Sequence, residues 1–187
     1  MAAGTDHGTE RQGRFRRLAP WMMAALVLLL PLVAMQFSDE VDWNAADFAI
    51  MGALLLAVCA LYEAAARMTG GVAYRAAIGI ALVAALLLVW INLAVGIIGS
   101  DDDPANLIFV GVLAVGLIGS LMARFRAHGM ARAFAATAFA QATAAPIALT
   151  AGWGSAGSNG PWPLVTLTAF FAAFWLGSAW LFRKAGR

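Results

Sequence analysis

The chain has 187 residues, of which 63% are hydrophobic and 12% are charged. A soluble domain carries roughly 25% charged residues, so this composition excludes a water-soluble globular protein. The net charge of +2 comes from basic residues spread over short segments beside apolar stretches, a pattern that indicates membrane topology and argues against a nucleic-acid partner. The expected partner is therefore the lipid bilayer.

Six apolar stretches follow one another, each near the roughly 20 residues that a helix needs to cross a bilayer. They cover residues 20–37, 48–66, 76–98, 107–123, 133–151 and 164–182. Continuous apolar runs do not fit the alternation of a β-barrel, and backbone groups in lipid must bond within their own segment. The sequence thus predicts an all-α polytopic bundle of six transmembrane helices within residues 20–182.

The two ends of the chain are polar and basic. Residues 1–19 lack apolar periodicity and are predicted to form a disordered tail, and residues 183–187 form a short basic tail at the other end. Four arginines before Pro20 resemble the start of a signal peptide. The apolar run that follows is long for such a peptide and has no small-x-small site before Ser38, so we expect the first helix to be retained.

All 12 basic residues fall on one side of the predicted bundle when successive helices alternate in direction. They are Arg11, Arg14, Arg16, Arg17, Arg67, Arg75, Arg124, Arg126, Arg132, Arg183, Lys184 and Arg187. The opposite loops contain no Lys or Arg and hold seven acidic residues. By the positive-inside rule the basic side is cytoplasmic, so both termini are predicted to lie in the cytoplasm.

In the second predicted helix, Glu63 is the sole acidic residue well inside a span, and it lies about one turn from the cytoplasmic end. Arg67 follows at i+4, the spacing at which Glu and Arg side chains meet on one helix face. A boundary ion pair is the favoured interpretation, and a proton or substrate role is the alternative. Cys59, in the same helix, is the only cysteine, which excludes an intramolecular disulfide and a cysteine metal site.

Polar residues gather where the third predicted helix passes into the fourth. Asn92 lies in the outer half of helix 3, and the linking loop contains Asp101, Asp102 and Asp103, with Asn106 at its end. Three carboxylates attract cations, but a Ca²⁺ site needs six to eight oxygens and the EF-hand spacing is absent. A solvated acidic turn that ends helix 3 and caps helix 4 is the favoured interpretation, with a cation site as the alternative.

This loop and the helix 2 pattern from Asp47-Phe48 to Tyr62-Glu63 together resemble a family of small multi-pass proteins of the bacterial inner membrane. The resemblance covers helices 2 to 4. It implies the same topology and a bacterial inner-membrane location, and it assigns no activity.

Helices 4 and 5 are rich in small residues. Helix 4 has a small-xxx-small pair at Gly116 and Ser120, and helix 5 contains many alanines. Small residues allow the backbones of two helices to approach closely in a membrane. We therefore expect both helices to face protein more than lipid.

Near the middle of helix 5 lie two polar side chains, Gln141 and, one turn earlier on the same face, Thr137. An amide offers donor and acceptor together and so suits solute binding, for Gln141 and for Asn92 alike. In membranes such groups more often bond a neighbouring helix, which contributes on the order of 0.6 to 2 kcal/mol. Interhelical bonding is the favoured interpretation and ligand binding is the alternative.

The sequence does not contain the residues that several common membrane cofactors and enzymes require. Lys184, the only lysine, follows the last helix, so a retinal Schiff base has no attachment point, and His7 and His128 lie outside the spans, which excludes haem between two intramembrane histidines. No H-E-x-x-H, G-x-S-x-G or P-loop pattern occurs. We expect no cofactor and no metal, and we predict that the protein is not an enzyme.

Three functions remain open. The favoured one is a non-catalytic structural, regulatory or accessory component that packs against itself, as a homo-oligomer, or against another membrane protein. The second is a small-molecule or ion transporter or channel with Gln141, Asn92 and Glu63 along a polar path, which predicts a water-accessible cavity that reaches Gln141. The third is an enzyme that acts on a membrane lipid, which predicts a polar cluster at one interface.

Overall fold

The structure is a computed structural model that describes residues 6–38, 41–68, 71–153 and 161–187. Within these ranges it has six α-helices, one short 3-10 helix and no strand, which confirms the predicted all-α fold of six helices. The helices are α1 (Asp6–Ala34), α2 (Ala45–Met68), α3 (Val72–Ala94), α4 (Leu107–Met122), α5 (Ala127–Thr150) and α6 (Trp162–Ala185). The 3-10 helix Pro104–Asn106 leads into α4.

Five of the six helices, α2 to α6, are long and apolar enough to cross a membrane. The apolar part of α1, Leu18–Ala34, is shorter than these. The predicted first span ends at Phe37, but the helix stops at Ala34 because the chain then closes a turn in which the Ser38 amide donates to the Ala34 carbonyl. The chain is thus a multi-pass membrane protein by length and composition of its helices.

The polar N-terminal region differs from its predicted disorder, because α1 begins at Asp6. Residues 6–19 are therefore helical, and residues 1–5 lie outside the described part of the chain. The region contains Glu10, Arg11 and Gln12, which are good helix formers. The absence of apolar periodicity therefore did not exclude a helical backbone.

The chain divides into two compact units, Met1–Ala64 and Ala65–Arg187. The first unit contains α1 and most of α2. Two prolines, Pro20 and Pro31, lie inside α1, and the Cys59 thiol of α2 donates to the Pro20 carbonyl with 3.5 Å between Sγ and O. This hydrogen bond ties the two helices of the unit together.

The start of α2 is fixed by a reciprocal cap. The Asn44 Oδ1 accepts from the amides of Ala46 (2.7 Å) and Asp47 (3.2 Å), while Asp47 Oδ2 accepts from the Asn44 amide (2.8 Å). Trp43 and Phe48 meet edge to face on either side of this cap, with ring centroids 5.2 Å apart. A capping box flanked by such an apolar pair defines where a helix begins, which is why α2 starts three residues before the predicted Phe48.

The second unit is the bundle of α3 to α6, in which α6 packs on α3 and α5, and α4 packs on α5. An aromatic cluster fills its interior. Phe134 stacks on Trp175 at 5.8 Å and on Phe182 at 5.4 Å, and Tyr74 meets Phe182 edge to face at 4.9 Å. These four side chains come from three helices, so the cluster joins α3, α5 and α6.

The small-residue faces of α4 and α5 pack against each other, although only 28% of the α4 span is buried, against 44% of the α5 span, so the prediction that both face protein more than lipid suits α5 better than α4. A Cβ on Gly119 would lie 2.8 Å from the Cβ of Ala133, and a Cβ on Gly116 would lie 3.2 Å from the Thr137 hydroxyl. Ser120 is buried and donates to the Gly116 carbonyl at 2.7 Å. Glycine at these two positions lets the backbones approach closely, which gains dispersion contacts that lipid does not compete for.

The helix ends within this bundle differ from the predicted spans by several residues. The third predicted span runs to Ile98, but α3 ends at Ala94, and Gly96 (φ +68°) follows in the left-handed region that glycine adopts at helix ends. The fifth span was expected to begin at Ala133, but α5 begins at Ala127. Hydropathy marks what suits lipid, whereas a helix begins and ends at turns, which lie inside the predicted span for α3 and outside it for α5.

Between α4 and α5 the chain turns through Arg124 (φ 48°) and Phe125 (φ 57°), two non-glycine residues in the left-handed region. The Phe125 amide donates to the Ser120 carbonyl, and the Tyr74 hydroxyl of α3 donates to the Phe125 carbonyl at 2.7 Å. The hydroxyl thus anchors a turn whose backbone is strained by roughly 1 to 2 kcal/mol per residue.

Candidate functional site: an acidic pocket beside the α3–α4 loop

A cavity of about 430 Å³ opens where α3 and α4 meet their connecting loop. Its polar lining consists of Asn92 from α3 and of Asp101, Asp102, Asp103 and Asn106 from the loop and the 3-10 helix. Leucine, valine and phenylalanine side chains of α3 and α4 form the rest. The structure therefore brings five of the polar residues singled out in the sequence into one cavity, here called the acidic pocket.

The loop holds its shape around the Asn106 side chain, which is buried. Its Oδ1 accepts from the amides of Ile97 (3.0 Å) and Ile98 (2.9 Å), and its Nδ2 donates to the carbonyls of Ile98 (3.0 Å) and Ser100 (2.6 Å). These four bonds occupy the amide. Asn106 consequently holds the loop that lines the acidic pocket. A ligand would have to displace loop backbone groups to bond to the Asn106 amide.

Two glycines allow the loop to turn back on itself. Gly96 and Gly99 have φ values of +68° and +66°, which L side chains rarely adopt. A Cβ on Gly99 would also lie 2.6 Å from Oδ2 of Asp103. The acidic residues thus follow a turn that requires glycine twice.

The three carboxylates are not equivalent. Asp103 is half-buried, and its Oδ1 accepts from the Ala105 amide at 2.9 Å, so it caps the 3-10 helix, while Asp101 and Asp102 are exposed. Among the described residues, no group of three or more His, Cys, Asp or Glu side chains is arranged to hold a metal ion. The acidic turn thus caps the 3-10 helix through Asp103, whereas the cap predicted for helix 4 is not formed, since Asn106 at the start of α4 makes no side-chain capping bond.

Asn92 forms the inner polar group of the acidic pocket. Its Nδ2 donates to the Leu88 carbonyl one turn earlier at 2.7 Å, and its buried Oδ1 has no hydrogen-bond partner among the described residues. A free acceptor beside carboxylates favours a donor-bearing or cationic group. The residues that line the pocket in the described part of the chain include no His, Cys, Ser, Thr, Lys or Arg, so its polar groups are carboxylates and amides.

The two polar residues predicted in the middle of helix 5 are fully buried in α5. The Thr137 hydroxyl donates to the Ala133 carbonyl of its own helix at 3.0 Å. Neither amide atom of Gln141 has a hydrogen-bond partner among the described residues, so the direct interhelical bond expected of it is not formed. Gln141 is also not part of the lining of the acidic pocket.

Glu63 is half-buried near the end of α2, which continues to Met68. It therefore lies about one and a half helical turns before the end of α2. Its ion pair with Arg67 stays a prediction from the i+4 spacing.

Three buried polar residues of α6 were missed by the sequence analysis. The Ser178 hydroxyl donates to the Ala77 carbonyl of α3 at 2.9 Å, whereas Thr168 and Trp175 are buried with unpartnered polar atoms. Thr168, Trp175, Ser178 and Phe182 recur at intervals of three to seven residues on one face. That spacing was the available signal, but Ser and Thr are ordinary in membrane helices and drew no attention.

Comparison with protein-family models, with curated proteins and with solved structures finds no match for this chain. The function must therefore be argued from the geometry of the chain itself.

Proposed function

We propose that this protein is a non-catalytic component of the bacterial inner membrane that acts by packing against another membrane protein or a second copy of itself. The observation that carries the proposal is the closed interior of the α3–α6 bundle. Thr137, Gln141 and Ser178 all have 0% of their surface exposed. A transporter needs such groups along a path that water or solute can reach, and a scaffold does not.

The packing of the same bundle supports a structural role. Helices α4 and α5 meet through glycine and alanine with close backbone approach, and α3, α5 and α6 share an aromatic cluster. Interiors packed in this way are resistant to small displacements. The acidic pocket adds carboxylates and amides, which suit the binding of a cationic or donor-bearing group.

In this proposal the chain crosses the membrane six times, with both termini in the cytoplasm. The 12 basic residues then all lie at the cytoplasmic ends of helices, and the acidic pocket opens on the opposite side. The first crossing uses the shorter apolar part of α1, Leu18–Ala34, which is close to the lower limit of roughly 17 residues for a transmembrane helix.

Isolation of the tagged full-length chain from native membranes in mild detergent tests the proposed function. We expect it to migrate as a homo-oligomer or together with another integral membrane protein, at constant stoichiometry across detergents. A lone monomer under all conditions would contradict the proposal.

A small transporter is the second candidate, because the acidic pocket is an open cavity lined by Asn92 and three aspartates. Flux measurements in proteoliposomes distinguish the two candidates. A scaffold leaves the vesicles tight, whereas a transporter gives a flux that Asn92→Leu and Gln141→Leu both reduce. Glu63→Gln extends the same test to the third residue of the predicted polar path.

A further inference from the structure

Three polar side chains inside the α3–α6 bundle leave all of their polar side-chain atoms unused. Gln141 is 0% exposed, Trp175 is 2% exposed and Thr168 is 4% exposed. The Gln141 Oε1 and Nε2, the Thr168 Oγ1 and the Trp175 Nε1 have no hydrogen-bond partner in the described part of the chain. Buried polar atoms in folded proteins are paired in the large majority of cases, so four such atoms in one bundle call for an explanation.

The packing of α5 against α6 brings these groups to one level of the bundle. A Cβ on Gly186 would lie 3.5 Å from the Cβ of Ala127, so the end of α6 meets the start of α5 and the two helices are antiparallel. About four helical turns from this contact, Gln141 on α5 is level with Ala172 on α6. The stacking of Phe134 on Phe182, partway along, agrees with this register.

Thr168 and Trp175 lie about one turn on either side of that level. They are two turns apart on the buried face of α6, with the fully buried Phe171 between them. Gln141 lies on the buried face of α5, two turns from Phe134, whose ring stacks on Trp175. Along the α5–α6 interface, Thr168 and Trp175 thus lie on opposite sides of the Gln141 level, each about one helical turn from it.

The hydrogen-bonding groups of these three side chains indicate which kind of ligand they suit. The amide offers an acceptor and two donors, the hydroxyl is both donor and acceptor, and the indole is a donor only. None of the three carries a charge, so the cluster suits a neutral molecule that both donates and accepts. The neighbouring side chains of α5 on the buried face are Ala138, Ala144 and Ala145, which are small and carry no polar side-chain atom.

We infer that Gln141, Thr168 and Trp175 form a buried hydration site, which holds one or more water molecules in the interior of the α3–α6 bundle. Water is the neutral donor and acceptor that fits a sealed interface, and a buried water typically makes about three hydrogen bonds to otherwise unpaired groups. In the middle of a bilayer no lipid group can replace these bonds. The site is closed, so it holds equally for a scaffold and for a transporter and does not rest on the proposed function.

Radiolytic labelling of the full-length protein in lipid nanodiscs tests this inference directly. Hydroxyl radicals formed from bound water oxidise the side chains next to it, even where bulk water has no access. Phe171 and Phe182 are a matched pair because both are phenylalanines of α6 with 0% exposure, and only Phe171 lies between Thr168 and Trp175. We expect oxidation at Phe171 and Trp175 to exceed that at Phe182 several-fold. Equal oxidation at Phe171 and Phe182 would overturn the hydration site.

The variant Gln141→Leu gives an independent readout, since leucine matches the size of glutamine and removes its polar atoms. If water pairs the amide, the variant lowers the Tm and reduces oxidation at Phe171, because the water loses a partner. If the amide is unpaired in the native protein, the variant leaves the Tm unchanged or raises it, and the inference is wrong. The control is Thr137→Val, one turn away, whose hydroxyl is already bonded to Ala133 and which should leave oxidation at Phe171 unchanged.

Discussion

Asn106 makes four hydrogen bonds to the backbone of its own loop, whereas Asp101 and Asp102 are exposed and Asp103 makes one capping bond. Sequence reasoning grouped all four as one acidic loop. The difference between them depends on where the loop folds back, which needs positive φ at Gly96 and Gly99 and is not visible in composition. Of these four residues, the neutral Asn106 therefore has the largest effect on the structure of the loop.

The substitution Asn106→Ala should lower the free energy of unfolding by about 2 to 4 kcal/mol, because it removes four hydrogen bonds of roughly 1 kcal/mol each and leaves buried loop groups unpaired. Thermal unfolding of the purified protein in detergent measures the change. Asp102→Asn is the matched control in the same loop and should stay within about 0.5 kcal/mol of the native value. Equal effects of the two substitutions would contradict the assigned role of Asn106.

The variant Arg124→Gly should raise the free energy of unfolding by about 1 kcal/mol, because Arg124 is exposed and its positive φ strains any residue with a Cβ. A rise in the Tm of the purified protein would show this. The control Arg126→Gly, two residues later in extended backbone, removes the same charge without relieving strain and should not raise the Tm. A stabilisation of both variants by the same amount would point to charge rather than to backbone strain.

Among the elements, α4 presents two different faces to its surroundings. On one face Gly116 and Gly119 touch α5, and on the other Gly111 has no atom within 4 Å of an added Cβ. The small-xxx-small pair at Gly116 and Ser120 predicted the packed face from the sequence. It did not separate Gly111 from Gly119, since both are glycines in one apolar helix and only the position of α5 distinguishes them.

The pair Gly119→Ala and Gly111→Ala tests this packing within one helix. In Gly119→Ala the new methyl would overlap the Cβ of Ala133 at 2.8 Å, so α4 and α5 must separate and we expect a loss of about 1 to 3 kcal/mol. In Gly111→Ala nothing is displaced, and the better helix propensity of alanine should leave stability unchanged or raise it by up to about 1 kcal/mol. The unfolding midpoints of the two variants are compared. A lower midpoint for Gly111→Ala than for Gly119→Ala would contradict the α4–α5 contact.

For the molecule as a whole, the apolar surface and the polar interior are arranged as a lipid environment requires. Large apolar side chains such as Leu107, Leu117 and Met122 of α4 are more than half exposed, while Gln141 and Ser178 are fully buried. Lipid covers the former at no cost, and the bundle shields the latter. The proposed orientation of the chain in the membrane rests on a different property, the placement of its basic residues.

Cysteine accessibility tests this orientation in a Cys59→Ala background, which removes the single native thiol. We expect Asp102→Cys to react with a membrane-impermeant thiol reagent on intact cells, and Arg126→Cys to react only after the cells are permeabilised. Both positions are exposed, so access depends on the side of the membrane alone. Reaction of both from the same side would contradict the alternation of basic and acidic loops.

The sequence by itself determined the membrane class, the six helices and the small-residue faces, because hydrophobic length and residue size act locally along the chain. Only the tertiary structure decided that Asn92 and the aspartates share one pocket and that Asn106 folds its loop. It also decided that Gln141, Thr168 and Trp175 are buried with polar atoms that have no partner among the described residues. These relations depend on which helices are neighbours and on the register between them. The pattern of apolar residues does not encode the neighbours, because an apolar side chain is equally stable in lipid on any face of a helix.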